Sequence, residues 1–358
     1  VEQQSLTDQT TLNGAENGLT YVTFMDGNQG KMYSQLLNFA WRYGDRADEA
    51  VVRTVATQLI NQTFHEDRLV PETDASVYQS DGIRLLPYAD ADPILTAKVA
   101  LLQETPFDEE LLAAFFLSRL STEDKDLQLS PVEVAWAFAG LSALDVPVLA
   151  EMKRFAKAQT LSEEGQLAIA IGHLFAGDAE GARPIYETFL KQARHDLGYI
   201  WLEQKTDEDT TELTADLAIL AAGLNESKDR DALMDYLNVH ARGQTLVLLE
   251  QLISTKESLN FLKSGASEVS YILSGVTKKT QLKGGNSHTV AVSSDDLKKL
   301  NPRAEKGDVA VVTSYEKPLT TLPNLYKKIS VSRRFLGPNG LPQTTFKEGD
   351  VVRVEIKY

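Results

Sequence analysis

The chain has 358 residues, 42% of them hydrophobic and 24% charged, the composition of a globular protein with room for more than one domain. It contains no cysteine, which excludes disulfides, thiolate metal sites, a cysteine nucleophile and an internal thioester. Residues 1–262 carry 20 Lys and Arg against 42 Asp and Glu, a net of −22, whereas residues 263–358 carry 16 against 9, a net of +7. This asymmetry predicts a domain boundary near 262, and the acidic body argues against nucleic acid as a partner. No apolar run reaches the ~18–20 residues that span a bilayer. The polar start, residues 1–9, lacks the apolar core of a signal peptide, and the chain reads as a processed piece.

In chain order, residues 19–25 alternate like a short strand and 26–28 form a turn. Apolar residues then recur at helical spacing. Helices are expected over 31–43, 47–64, 93–102, 108–120, 131–144, 146–159, 162–175, 179–194, 211–224, 231–240 and 244–261. Asp92 caps the third of these and Pro93 takes its first position. Ser130 and Glu133 have capping-box spacing. Residues 197–202 read as a short aromatic link and 207–209 as an acidic loop. Each helix has one apolar stripe, so successive antiparallel pairs should form, closed into a ring or stacked as a solenoid. From 267 the period changes to two. Strands are expected over 269–273, 279–283, 288–292, 308–315, 328–333 and 350–358, with turns at 283–286 and 337–340, as in an antiparallel sandwich.

Residues 81–102 carry a distinctive order: an Asp81-Gly82 turn, a short apolar run to Tyr88, an acidic loop with Asp90 and Asp92, and a helix containing Leu95-Thr96-Ala97. Leu213-Thr214-Ala215 repeats the theme, with Tyr199 and Trp201 upstream as Leu85, Leu86 and Tyr88 lie upstream of the first. The order resembles the thioester-containing domain of bacterial alpha-2-macroglobulin-like proteins. The segments at 293–297, 307–315, 329–333 and 346–354 resemble the strands and turns C-terminal to that domain in the same family. The resemblance covers most of residues 45–358. It implies an α/α toroid of paired helices, shared with terpenoid cyclases, over 31–262 after an N-terminal polar and strand segment, 1–30. A β-sandwich region over 263–358 would include the start of a truncated macroglobulin-like domain.

The family's reactive Gly-Cys-x-Glu-Gln motif would fall near Gly30–Gln35. Here Lys31 and Met32 cannot form a thioester, and Met32 and Gln35 mark a degenerate position. The resemblance therefore implies a non-catalytic binding or scaffold fragment of a secreted or cell-surface bacterial protein. Its partner would be a protein or an envelope component, a protease among them, with no cofactor, no nucleic acid and no membrane span in this chain. The alternative is a toroid-fold polysaccharide lyase or glycosidase with an appended sandwich, which needs paired carboxylates in a cleft. Asp81, Tyr88, Asp90, Asp92, Tyr199 and Trp201 are the candidate binding surface. Asp74, Asp81, Asp90, Asp92 and 207–209 suit helix caps better than Ca²⁺, since no DxDxDG spacing occurs. The five histidines are too scattered for a metal pair. His173 sits on an apolar stripe and Trp41 and Trp136 on helical stripes, as core residues do.

Overall fold

The computed structural model describes all residues except 8–9, 28, 125–126, 242–246, 264, 284, 318–331, 338–340, 343–344, 346–351 and 358. Strands β1 (Glu2–Ser5) and β2 (Leu19–Asp26) open the chain. The helices after them are α1 (Gly30–Ala40), α2 (Ala47–Phe64), α3 (Ala75–Tyr78), α4 (Pro93–Leu102), α5 (Glu109–Ser121), α6 (Pro131–Ala143), α7 (Leu149–Ala158), α8 (Glu163–Phe175) and α9 (Ala179–Gln192). A hairpin, β3 (Arg194–Asp196) and β4 (Tyr199–Trp201), precedes α10 (Asp207–Gly223), α11 (Ser227–His240) and α12 (Leu248–Leu259). The remainder is β5 (Ala266–Leu273), β6 (Val276–Lys283), β7 (His288–Ser293), α13 (Ser294–Lys299), β8 (Arg303–Lys306), β9 (Val309–Ser314), β10 (Ser332–Leu336) and β11 (Arg353–Lys357). Among the described residues the protein is alpha plus beta, with thirteen helices and antiparallel sheets.

Helix starts follow their caps. The Asp92 carboxylate accepts from the Ile94 and Leu95 amides, and Pro93 opens α4. Ser130 and Glu133 form both halves of a capping box on α6. Three expectations shift. Helix α1 ends at Ala40 rather than 43, leaving Trp41 41% and Tyr43 83% exposed, so Trp41 is not a core residue. The chain turns there to enter α2, whose Ala47 amide donates to the Leu85 carbonyl at 2.9 Å. Residues 207–209 are not a loop but the first turn of α10, capped by Thr206, where carboxylates favour the positive end of the helix dipole. The link at 197–202 is part of a hairpin whose tip, Leu197 and Gly198, has positive φ at both positions.

Helices α2, α4, α6, α8, α10 and α12 hold most of the buried side chains of the helical part. Each packs on the next in that series, and α12 packs on α2 as well as on α4. The remaining long helices, α1 before them in sequence and the others between them, pack on these six: α1 on α2, α5 on α6, α7 on α8, α9 on α8, α11 on α10. Trp136 of α6 is fully buried, as its stripe predicts.

Beyond the helices lie two antiparallel sheets, ordered β1-β9-β2-β7 and β6-β5-β8. Val22 and Phe24 of β2, Val309 and Val311 of β9, Val269 and Tyr271 of β5, and Leu282 of β6 share one apolar core between the sheets. The first sheet thus draws strands from both ends of residues 1–315, with Val22 opposite Val290 on one side and Thr313 on the other. Helix α1 abuts this sheet so closely that a Cβ on Gly30 would overlap Ala310. The Glu66 carboxylate ties helix to sheet. It accepts from the Tyr33 hydroxyl at 2.6 Å, Arg68 at 2.6 Å and the Ser287 hydroxyl at 2.8 Å.

Residues 316–358 form a separate compact unit. Its described elements, β10 and β11, pair antiparallel from Ser332 opposite Lys357 to Leu336 opposite Arg353. The expected features at 328–331, 338–340 and 346–351 lie outside the described residues.

Candidate functional site

The repeated Leu-Thr-Ala motif organises the middle of the helical part. The Thr96 hydroxyl accepts from the Ile83 amide at 2.9 Å and donates to the Asp92 carbonyl at 2.6 Å. Thr214 does the same in α10, accepting from the Leu202 amide at 3.0 Å and donating to the Thr210 carbonyl at 2.5 Å. Each threonine satisfies a buried backbone amide of the segment entering its helix. The residue after each motif is charged: Lys98 on α4 and Asp216 on α10.

Lys98 and Asp216 belong to one buried cluster. The Lys98 ammonium is paired with Glu250 of α12, which is fully buried, and lies 5.0 Å from the centre of the Trp136 ring. The Trp136 indole donates to Glu164 of α8 at 3.1 Å. Burial pulls the Lys98 ammonium down, but Glu250 and Asp216 more than reverse that and hold it above the usual lysine value. Burial pushes Asp216 well above the carboxylate range. Lys98 opposes this, and Glu250, Glu164 and Glu212 add to it. Glu212 is also raised, first by burial and then, against Lys98, by its acidic neighbours. One oxygen of Asp216 and one of Glu250 are buried without a hydrogen-bond partner.

A pocket of about 240 Å³ opens beside this cluster. Arg46, Asp48, Asp92, Lys98, Glu164 and Glu212 give it polar walls, and Leu85, Ile94, Leu95 and Leu249 apolar ones. Arg46 and Asp48 close on each other at 2.8 and 3.0 Å. No group of three His, Asp or Glu able to hold a metal ion occurs among the described residues.

Of the six residues expected to form a surface, only Asp92 reaches this pocket, and its carboxylate caps α4. Asp81 accepts from Ser80 and lies 3.7 Å from Arg119. Tyr88 is 85% exposed and Asp90 is near it in the same loop. Tyr199 meets His240 edge-on, and Trp201 stacks on Tyr236 at 5.3 Å between centroids. The candidates therefore divide between the 81–92 loop and the β3–β4 hairpin. Sequence reasoning reads Trp136 as core and does not single out Lys98, Glu164, Glu212, Asp216 and Glu250 as a site. The available signal is charge inside otherwise apolar helices, most plainly Lys98 in α4 and Asp216 in α10.

The degenerate thioester position is packed. Met32 is 8% and Gln35 7% exposed. The Gln35 side-chain Oε1 accepts from Arg230 at 2.8 Å, and Arg230, 1% exposed, also donates to Asp231 at 2.9 Å and Thr255 at 3.2 Å. Lys31 is paired with Asp231 and Asp235 at 3.4 and 3.1 Å.

No family model and no curated protein matches the chain. Solved structures do. A C-terminal portion of native alpha-2-macroglobulin from Escherichia coli superposes with a TM-score of 0.56 at 15% identity, over 99% of this chain and 61% of that one. Salmonella alpha-2-macroglobulin reacted with methylamine gives 0.57 at 16% identity, over 99% of this chain and 25% of that one. The chain thus spans less than two thirds of the first and a quarter of the second. Over nearly its whole length it has the fold of the C-terminal region of bacterial alpha-2-macroglobulins, with no cysteine anywhere in its sequence.

Proposed function

We propose that the chain is a thioester-less, non-catalytic binding module built on the alpha-2-macroglobulin fold. Its six inner helices form a closed α/α toroid of the terpenoid-cyclase kind over 31–262. The two sheets of residues 1–315 form a sandwich, with 1–30 supplying β1 and β2 and 263–315 the rest. Its partner is a protein of the cell surface or exterior, and a protease is the first candidate.

The observation that carries this reading is the fate of the degenerate position. Gln35, the one remaining side chain of a thioester pair, is buried and committed to Arg230, while Lys31 faces Asp231 and Asp235. Neither a nucleophile nor an acyl donor is presented there. The polysaccharide-active alternative is not favoured, because the central carboxylates are organised around Lys98 and Trp136 and the structural neighbours are alpha-2-macroglobulins.

The test is surface plasmon resonance on an immobilised, active-site-blocked serine protease, with a polysaccharide panel assayed in parallel. The reading predicts reversible binding to the protease and no glycan turnover. Turnover of any polysaccharide, or no binding across a protease panel, would overturn it.

A further inference from the structure

The central cluster holds more carboxyl groups than its own cation can answer. Asp48, Glu164 and Glu250 lie in the first turns of α2, α8 and α12, where helix dipoles favour carboxylates. That account does not reach Glu212 and Asp216, which lie beyond the first turn of α10. Glu212 takes part in no hydrogen bond or ion pair among the described residues. Deeper in, Asp216 and Glu250, 1% and 0% exposed, each keep a carboxylate oxygen without a partner. Lys98 is already spent on Glu250, and Arg46 on Asp48. Of these groups Glu212 lines, together with Glu164, a pocket large enough for one long side chain, with aliphatic walls; Asp216 and Glu250 lie outside its lining.

We propose that this pocket takes a basic side chain, the guanidinium or ammonium of an arginine or lysine in a partner polypeptide. Its charged head sits against Glu212 and Glu164, and its methylenes lie along Leu85, Ile94, Leu95 and Leu249. Entry of the cation also favours ionisation of Glu212, which burial raises from its ordinary value, so binding releases protons where Glu212 is protonated. That the cation belongs to a polypeptide rests on the binding-module reading; the pocket's chemistry does not.

The experiment is isothermal titration of the whole chain with N-acetyl-arginine amide and with the neutral isostere N-acetyl-citrulline amide, in buffers of different ionisation enthalpy. The arginine probe should bind at least about tenfold more tightly than the citrulline probe, with proton release. Glu212→Gln should weaken it by about tenfold. Leu85→Arg, which tethers a guanidinium at the half-buried rim, should abolish probe binding even if Glu212→Gln fails to fold. Equal binding of the two probes, no binding of either, or an unchanged affinity in both variants would overturn the proposal. A chain that binds the arginine probe but no protease keeps the pocket and loses the protease partner.

Discussion

Lys98 and Glu250 stand 152 positions apart in the chain and meet as a buried ion pair between α4 and α12. The Lys98 side chain is 12% exposed and that of Glu250 not at all, so solvent screens little of the interaction. Lys98→Met leaves a buried carboxylate alone and should cost about 3–5 kcal/mol of stability. Adding Glu250→Leu removes the stranded charge and should recover most of that loss. Urea unfolding of the two variants checks this. A cost below about 1 kcal/mol for Lys98→Met would mean that the pair is open to water.

Thr96 and Thr214 make a second test. Replacing either by Val strips the acceptor from a buried amide, Ile83 or Leu202, and should cost about 1–3 kcal/mol. The two sites share no partner, so the double variant should show the sum within about 0.5 kcal/mol. A strongly non-additive result would contradict two independent copies of one local device.

Asp216 sets a pH dependence. In the unfolded chain it ionises near its ordinary value of 3.8, whereas burial and then its acidic neighbours, against Lys98, keep it protonated to higher pH in the folded state. Its folded pKa is raised, so it costs no stability below 3.8 and progressively more as pH rises above that value, until its folded pKa is reached. Asp216→Asn lacks this penalty. Thermal unfolding from pH 4 upward should therefore show the variant gaining on the wild type, whereas parallel curves would contradict the assignment.

Asp178 works in the opposite direction. Hydrogen bonds from Lys153 and then His173 bring its pKa from 3.8 down to about 2. Its contribution is present above 3.8 and is lost as pH falls toward about 2. The stability gap between wild type and Asp178→Asn should narrow over that window. Gly181→Ala attacks the same contact sterically, because its Cβ would overlap the His173 imidazole and lie 2.8 Å from the Asp178 carboxylate. It should destabilise at every pH, and a neutral result in a melting curve would show that His173 can swing away.

Local chemistry makes much of the fold legible. Asp92 with Pro93, and Ser130 with Glu133, announce two helix starts because capping is decided within a few residues. His173 reads as buried and satisfied, and it is 6% exposed with Asp178 at 2.9 Å. The β3–β4 hairpin escapes a sequence reading because its tip puts Leu197, not Asn or Asp, before Gly198 at positive φ. The central cluster escapes it for another reason. Lys98, Glu212 and Glu250 look like solvent-facing charges when each helix is read alone, and only the packing of α4, α10 and α12 turns them inward together. The Leu-Thr-Ala echo marks the right helices, but its charged successors need the third dimension to acquire meaning.

The most direct test of the binding-module reading mixes the whole chain with a serine protease and weighs the mixture twice, by native and by denaturing mass spectrometry. Non-covalent binding without a thioester predicts a complex in the native spectrum and only the separate chains after denaturation. A protease adduct that survives denaturation, or a native spectrum with no complex at all, would contradict it.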